Sequence, residues 1–223
     1  MDYAEPRQRM VDGQIRPNKV TEPRLLEALR TLPRETFVPE AAASRAYADE
    51  AVPLPGGRAL MQPMLLARLL QLAAARPDDR VLVVCAGACY GAALLARMGA
   101  RVVALEPDAA LRDLANKALG LLAPGSLRLE AGDPTAGFPA SAPYDAIIIE
   151  GEIPALPEVL VAQLAEGGRL VTVLAAAQGN GQGNGQGIAT LGQRMGGSFT
   201  LTPAFDASVA ALPAFMPAPG FVF

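Results

Sequence analysis

Residues Arg80 to Asp108, RVLVVCAGACYGAALLARMGARVVALEPD, restrict the fold of this chain more than any other stretch. Val81 to Val84 form a β-branched apolar run, the pattern of a strand buried on both faces. Gly87 and Gly91 punctuate a turn, and Ala92 to Met98 are good helix formers. Val102 to Leu105 then read as a second buried strand, closed by Glu106. Such a βαβ unit opens a crevice at the carboxyl ends of its strands. The helix N-terminus offers unpaired N–H groups, and a carboxylate ending the second strand can accept both hydroxyls of a ribose.

The turn departs from a glycine-rich ligand loop, because Cys85 and Cys89 flank a single central Gly87. Read from this loop alone, a ligand crevice and an ordinary βαβ turn both stay open. Composition narrows the chemistry. Histidine is absent, which removes His triads, His general bases and His metal ligands. Two cysteines four apart cannot by themselves complete a four-ligand zinc site, so no metal site is expected. A net charge of −3 without a basic block argues against nucleic acid as a partner. No apolar run approaches the roughly 20 residues that span a bilayer, and the charged start MDYAEPRQRMVDG lacks a signal-peptide core. A cytoplasmic location without a membrane partner is the resulting expectation.

A chain of 223 residues can bury one sizeable core, and a single domain over 1–223 is expected. Its first 60 residues read as a helical and irregular cover, and residues 61–223 as the core. Thr21 is expected to cap a helix carrying Leu25, Leu26, Leu29 and Leu32, and Pro63 to start another that runs to about Ala75. The best amphipathic pattern covers 108–122. Further strands are expected at Leu127–Leu129, Tyr144–Glu150 and Arg169–Ala175, with a helix over 154–166 ended by Gly167 and Gly168. The tract at 178–187 reads as a flexible Gly/Asn/Gln loop. Two strands joined at Gly196-Gly197 follow as a hairpin, and the apolar tail 211–223 needs a surface to dock on. The fold class is therefore α/β, a mostly parallel sheet with a C-terminal antiparallel strand pair.

Several segments resemble, in order, the motifs of the protein-L-isoaspartate O-methyltransferases. They are MVDGQIRP (10–17), LPRETFVPE (32–40), AYADEAVPL (46–54), MQP (61–63), VLVVCAGACYG (81–91) and AGDPTAG (131–137). The chain is similar to a divergent member of that family. The resemblance implies a Rossmann-like class I methyltransferase fold and S-adenosyl-L-methionine (AdoMet) as cofactor. It implies methylation of the α-carboxyl of L-isoaspartyl residues in a protein or peptide partner, a step of protein repair. It places Ala86 and Gly87 against the methionine moiety, Glu106 at the ribose and Asp133 at the adenine amino group.

Met61 stands at the position of the family's Ser or Thr that orients the substrate carboxylate, next to Gln62. A thioether cannot donate that hydrogen bond. Val83 stands where the family's first strand has an acid, and Cys85 and Cys89 where it has glycines. These departures lead to two readings: a methyltransferase with lowered activity, and a non-catalytic binding or regulatory module on the same scaffold. A nicotinamide-dependent dehydrogenase is a third, without the G-x-G-x-x-G signature. Glu106 and Asp133 are expected at one sheet edge, on either side of a crevice above Gly87, with both thiols narrowing the methionine space.

Overall fold

The computed structural model describes residues 2–176 and 187–216. The cover begins with α1 (Ala4–Met10), a wider π turn over Val11–Ile15 and α2 (Pro23–Thr31). Helix α2 is capped by Glu22, whose carboxylate accepts the Arg24 N–H, and not by Thr21. The N–H groups of Thr21 and Glu22 both donate to Gln71 Oε1, which ties this corner to the next helix instead. Short 3-10 turns and the strand pair β1 (Val52–Pro53) and β2 (Ala59–Leu60) fill the segment up to α3 (Pro63–Ala73). Ala74 takes a left-handed conformation and stops α3 two residues before the expected end.

The core then alternates β3 (Arg80–Val84), α4 (Tyr90–Arg97), β4 (Arg101–Leu105), α5 (Ala109–Leu119) and β5 (Leu127–Glu130). Asp108 caps α5 by accepting from the N–H groups of Ala110 and Leu111. After β5 come β6 (Tyr144–Ile153), α6 (Glu158–Ala162), β7 (Leu164–Ala175), β8 (Gly187–Met195) and β9 (Ser198–Ala207). The sheet order is β5-β4-β3-β6-β7-β8-β9. The first five of these pair in parallel, and β8 and β9 add antiparallel to β7 and to each other. Gly196 and Gly197, both with positive φ, make the hairpin turn that right-twisted strands favour.

The helix expected over 154–166 is a single turn, α6. Pro157 holds the preceding chain extended. At the other end Leu164 already pairs with Tyr144, so the chain must be a strand where the sequence pattern still allows a helix. The expected loop at 178–187 lies outside the described residues except for Gly187, where β8 begins.

The strands alternate their side chains between two cores. Val81, Val83, Ala104, Ala146 and Ile148 pack under the helices α2 to α5. Leu82, Val84, Leu105, Ile147 and Ile149 face α6 and Leu212 of the C-terminal segment. The reversal of strand order falls between β3 and β6, which makes their carboxyl ends the opening for a ligand.

Candidate functional site

The turn after β3 keeps a left-handed backbone at three alternate positions. Cys85, Gly87 and Cys89 have φ of 54°, 56° and 66°. A side chain in this region costs about 1–2 kcal/mol, so the two cysteines adopt the glycine path under strain. That path aims the Gly87 N–H at the neighbouring strand, where it donates to Glu106 Oε2 at 2.7 Å. Glu106 Oε1 accepts the Asp108 N–H at 3.0 Å. Arg58, on the segment between β1 and β2, places Nη1 3.4 Å from Glu106 Oε2 and donates from Nη2 to the Cys85 carbonyl at 2.8 Å. Glu106 is wholly buried under this guanidinium.

Asp133 is exposed, three residues beyond β5. Its Oδ1 accepts from the Thr135 N–H at 2.8 Å and hydroxyl at 2.7 Å, and these bonds hold its carboxyl below the usual range. Strand order corrects the expected geometry. Glu106 and Asp133 follow β4 and β5, both to one side of β3, so they do not flank Gly87. The acid on the other side of Gly87 is Glu150 of β6, and β6 runs three residues beyond it.

Met61 and Gln62 sit at the start of α3, where Gln62 is the N-cap without a side-chain capping bond. Their position depends on Arg34, which is fully buried. Its Nε donates to the Ala46 carbonyl and its Nη2 to the Met61 carbonyl, each at 2.6 Å. The guanidinium carbon lies 4.9 Å from the centre of the Tyr90 ring. Tyr47 receives the Arg34 N–H on its hydroxyl and donates to Glu35, while Arg7 donates to the same hydroxyl. Thus the LPRETF and AYADE segments clamp the Met61 segment onto α4. Burial pushes the Tyr90 hydroxyl up to about 12 and lowers Arg34.

Two cavities meet at Arg58. One, of about 190 Å³, is lined by Gly56, Cys85, Glu106, Asp108, Leu212 and Pro213 as well as Arg58. The other, of about 40 Å³, lies between Arg58, Met61, Gln62, Glu150, Val209 and Leu212. Cys85 faces the larger cavity, whereas Cys89 lines neither and packs in the core beneath the helices. Only one thiol therefore narrows the cleft. Burial raises both thiols, Cys85 to about 12. The outer wall is the segment 208–214. Leu212 donates its N–H to the Glu152 carbonyl, and the Glu152 N–H donates to the Ala210 carbonyl. A side chain at Gly151 would lie 2.5 Å from Leu212 Cγ, so this glycine lets the segment seat on β6. The tail expected to dock does so through Leu212; residues 217–223 lie outside the described residues.

Ala86, Gly87 and Glu106 thus come together, with Met61 and Gln62 on the far side of Arg58, and Asp133 stands apart. Arg34 and Arg58 were missed as candidates, whereas Glu150, at the end of the expected fourth strand, reads from sequence equally as a ligand-facing carboxylate or a solvent-exposed one. The sequence signals of the two arginines, one after Leu-Pro and one after Gly-Gly, are also those of ordinary surface charges.

Comparison with known proteins bears on this geometry. Residues 5–188 match the family described as protein-L-isoaspartate(D-aspartate) O-methyltransferase. The chain is 44% identical over 170 residues to the protein-L-isoaspartate O-methyltransferase of Methylorubrum extorquens strain PA1, covering 76% of this chain and 74% of that protein. With the enzyme of that name from Herpetosiphon aurantiacus it shares 38% over 176 residues, 79% of each chain. Among solved structures, a protein-L-isoaspartate O-methyltransferase superposes with a TM-score of 0.77 at 22% identity, over 92% of this chain and 65% of that one. A Plasmodium falciparum structure described under the same enzyme name, in complex with S-adenosyl-L-homocysteine, gives 0.75 at 16% identity, over 96% and 99%. At such identities these two likenesses speak for the fold.

Proposed function

The chain belongs to the protein-L-isoaspartate(D-aspartate) O-methyltransferase family, and from that premise we propose that it binds AdoMet at the carboxyl ends of β3 and β4 and methylates the α-carboxyl of L-isoaspartyl residues, slowly. The observation that carries the reading is Glu106. A buried carboxylate ends β4, oriented by the Gly87 and Asp108 N–H groups toward a cleft. It is suited to accept the two hydroxyls of a ribose once Arg58 turns away. The residues fit the cofactor in chemistry but not yet in room. Both cavities are smaller than the roughly 300–1,000 Å³ of ordinary ligand pockets, so segment 208–214 has to yield on binding.

When bound, AdoMet supplies a methyl group on a sulfonium, ready for in-line attack. The substrate carboxylate would be the nucleophile and is already ionised at neutral pH, so the chain would need no general base. The protein's work is positioning and water exclusion. Ala86 and Gly87 lie along the methionine side, and Arg34 holds the Met61 carbonyl and with it the wall the substrate meets. Met61 offers that substrate a thioether where a hydroxyl would orient it. A lost hydrogen bond to a charged group is worth about 1.5–3 kcal/mol, roughly ten- to hundredfold in rate.

A second reading, a binding module without turnover, draws on Arg58 seated over Glu106 beneath a closed segment. Methyl transfer from labelled AdoMet to an isoaspartyl peptide, beside the same peptide with ordinary Asp, separates the two. Slow transfer to the isoaspartyl form, raised at least tenfold by Met61→Ser, is expected under the first reading. AdoMet binding without transfer by either protein would favour the second.

A further inference from the structure

Glu150 has no part in the mechanism above, yet its surroundings are built around it. In the β3–β6 register Val83 opposes Ile148 and Val84 opposes Ile149. Side chains alternate along a strand, so Glu150 shares a sheet face with Ile148 and Val83, one step nearer the carboxyl edge. It thus brings an acid from the adjacent strand to the face on which β3 itself carries Val83. Across from it, Gly91 in the first turn of α4 leaves the space: a Cβ there would fall on Glu150 Oε1 and lie 2.9 Å from its carboxyl carbon. Among the described residues Oε1 is sealed from solvent and has no hydrogen-bond partner. A buried acceptor left unsatisfied is costly and asks for an explanation.

The geometry points to Glu150 and Arg58 as the receptor for the α-amino-acid end of the cofactor, an assignment that rests on the AdoMet reading. Glu150 accepts the α-ammonium. Arg58, released from the Cys85 carbonyl and Glu106, donates to the α-carboxylate. Arg58 lines both cavities, so a ligand with its ribose on Glu106 passes beneath it into the space that Glu150 closes. Beyond the ribose the cofactor is a zwitterion, which one fixed cation and one fixed anion match in both charge and hydrogen bonding.

The charged and titratable groups facing Glu150 are Arg58, Glu106 and Arg34, together with the thiols of Cys85 and Cys89. Burial holds the carboxyl up at about 8, helped by Glu106 and opposed by the two arginines. Burial therefore favours the protonated carboxyl in the ligand-free protein, and an arriving ammonium favours the carboxylate, its proton going to solvent.

Calorimetric titration with S-adenosyl-L-homocysteine and with 5′-methylthioadenosine tests this, because the second ligand keeps the nucleoside and thioether but lacks the amino-acid end. Wild-type protein should prefer S-adenosyl-L-homocysteine, with affinity rising from pH 6 to 8. Glu150→Gln should lower that affinity at least tenfold, remove its pH dependence and leave 5′-methylthioadenosine unaffected, with Glu150→Asp partly restoring it. Thermal midpoints of the variants check folding. Unchanged S-adenosyl-L-homocysteine binding in Glu150→Gln, or an equal loss for both ligands, would overturn the assignment while leaving the AdoMet reading standing. Wild-type protein that binds both ligands equally would do the same. Failure of wild-type protein to bind either ligand would overturn the AdoMet reading and this assignment with it.

Discussion

Replacing Arg34 by Met should loosen the cover, because the shorter side chain keeps the apolar stem in this buried site and loses the whole fork. The fork donates to two carbonyls, of Ala46 and Met61, at 2.6 Å each. Hydrogen bonds to a charged group are worth about 1.5–3 kcal/mol apiece, so the pair accounts for about 3–6 kcal/mol. Stacking on Tyr90 adds roughly 1 kcal/mol. Against this, Nη1 is buried without a partner among the described residues, and removing it recovers about 1–3 kcal/mol. The net loss is about 3 kcal/mol, which for a domain of this size lowers the melting midpoint by about 6–12 °C. Differential scanning calorimetry reads the shift. Limited proteolysis should show earlier cleavage between 46 and 61, the segment the fork holds. Arg34→Lys should fall between, since a single ammonium cannot serve two carbonyls in one plane. A midpoint for Arg34→Met within about 2 °C of the parent would refute this account of the clamp.

Three other outcomes follow from the site. Cys85→Gly should relieve left-handed strain of about 1–2 kcal/mol and widen the cleft, tightening S-adenosyl-L-homocysteine binding. Cys89→Gly gains the same relief but loses a buried side chain worth about 0.8 kcal/mol or more, and should not alter affinity; equal tightening by both would contradict the placement of Cys89. Glu150 makes stability fall with pH: its folded carboxyl keeps a proton from about 4.5 up to about 8 that the unfolded chain has already released. Urea unfolding across that window should show a decline of up to about 1.4 kcal/mol per pH unit that Glu150→Gln removes, and a parallel profile for the two proteins would count against it. Leu212→Ala takes the buried anchor from segment 208–214 at a cost of about 2–5 kcal/mol, so this segment should be cut sooner by protease and S-adenosyl-L-homocysteine should associate faster by stopped flow. An unchanged association rate would mean that Leu212 does not control entry.

The sequence by itself determined the parallel core, because buried strands and amphipathic helices write their periods directly into residue order. The apolar run Val81–Val84 and the pattern over 108–122 became β3 and α5 with ends shifted by a residue or a few. Gly87 and Glu106 were legible as partners because one βαβ unit holds both. The helix at 154–166 misled because its leucines suit either period, and only the pairing of Leu164 with Tyr144 forces the extended form. The rest of the site was decided by tertiary structure. Arg34, Arg58 and Glu150 come from three distant segments, and nothing local distinguishes them from solvated charges. Their meaning arises when strand order sets β6 beside β3, Gly91 leaves room for a carboxyl, and Leu212 closes the cleft over Arg58. A buried charge takes its energy from what surrounds it, and those surroundings exist only in the folded chain.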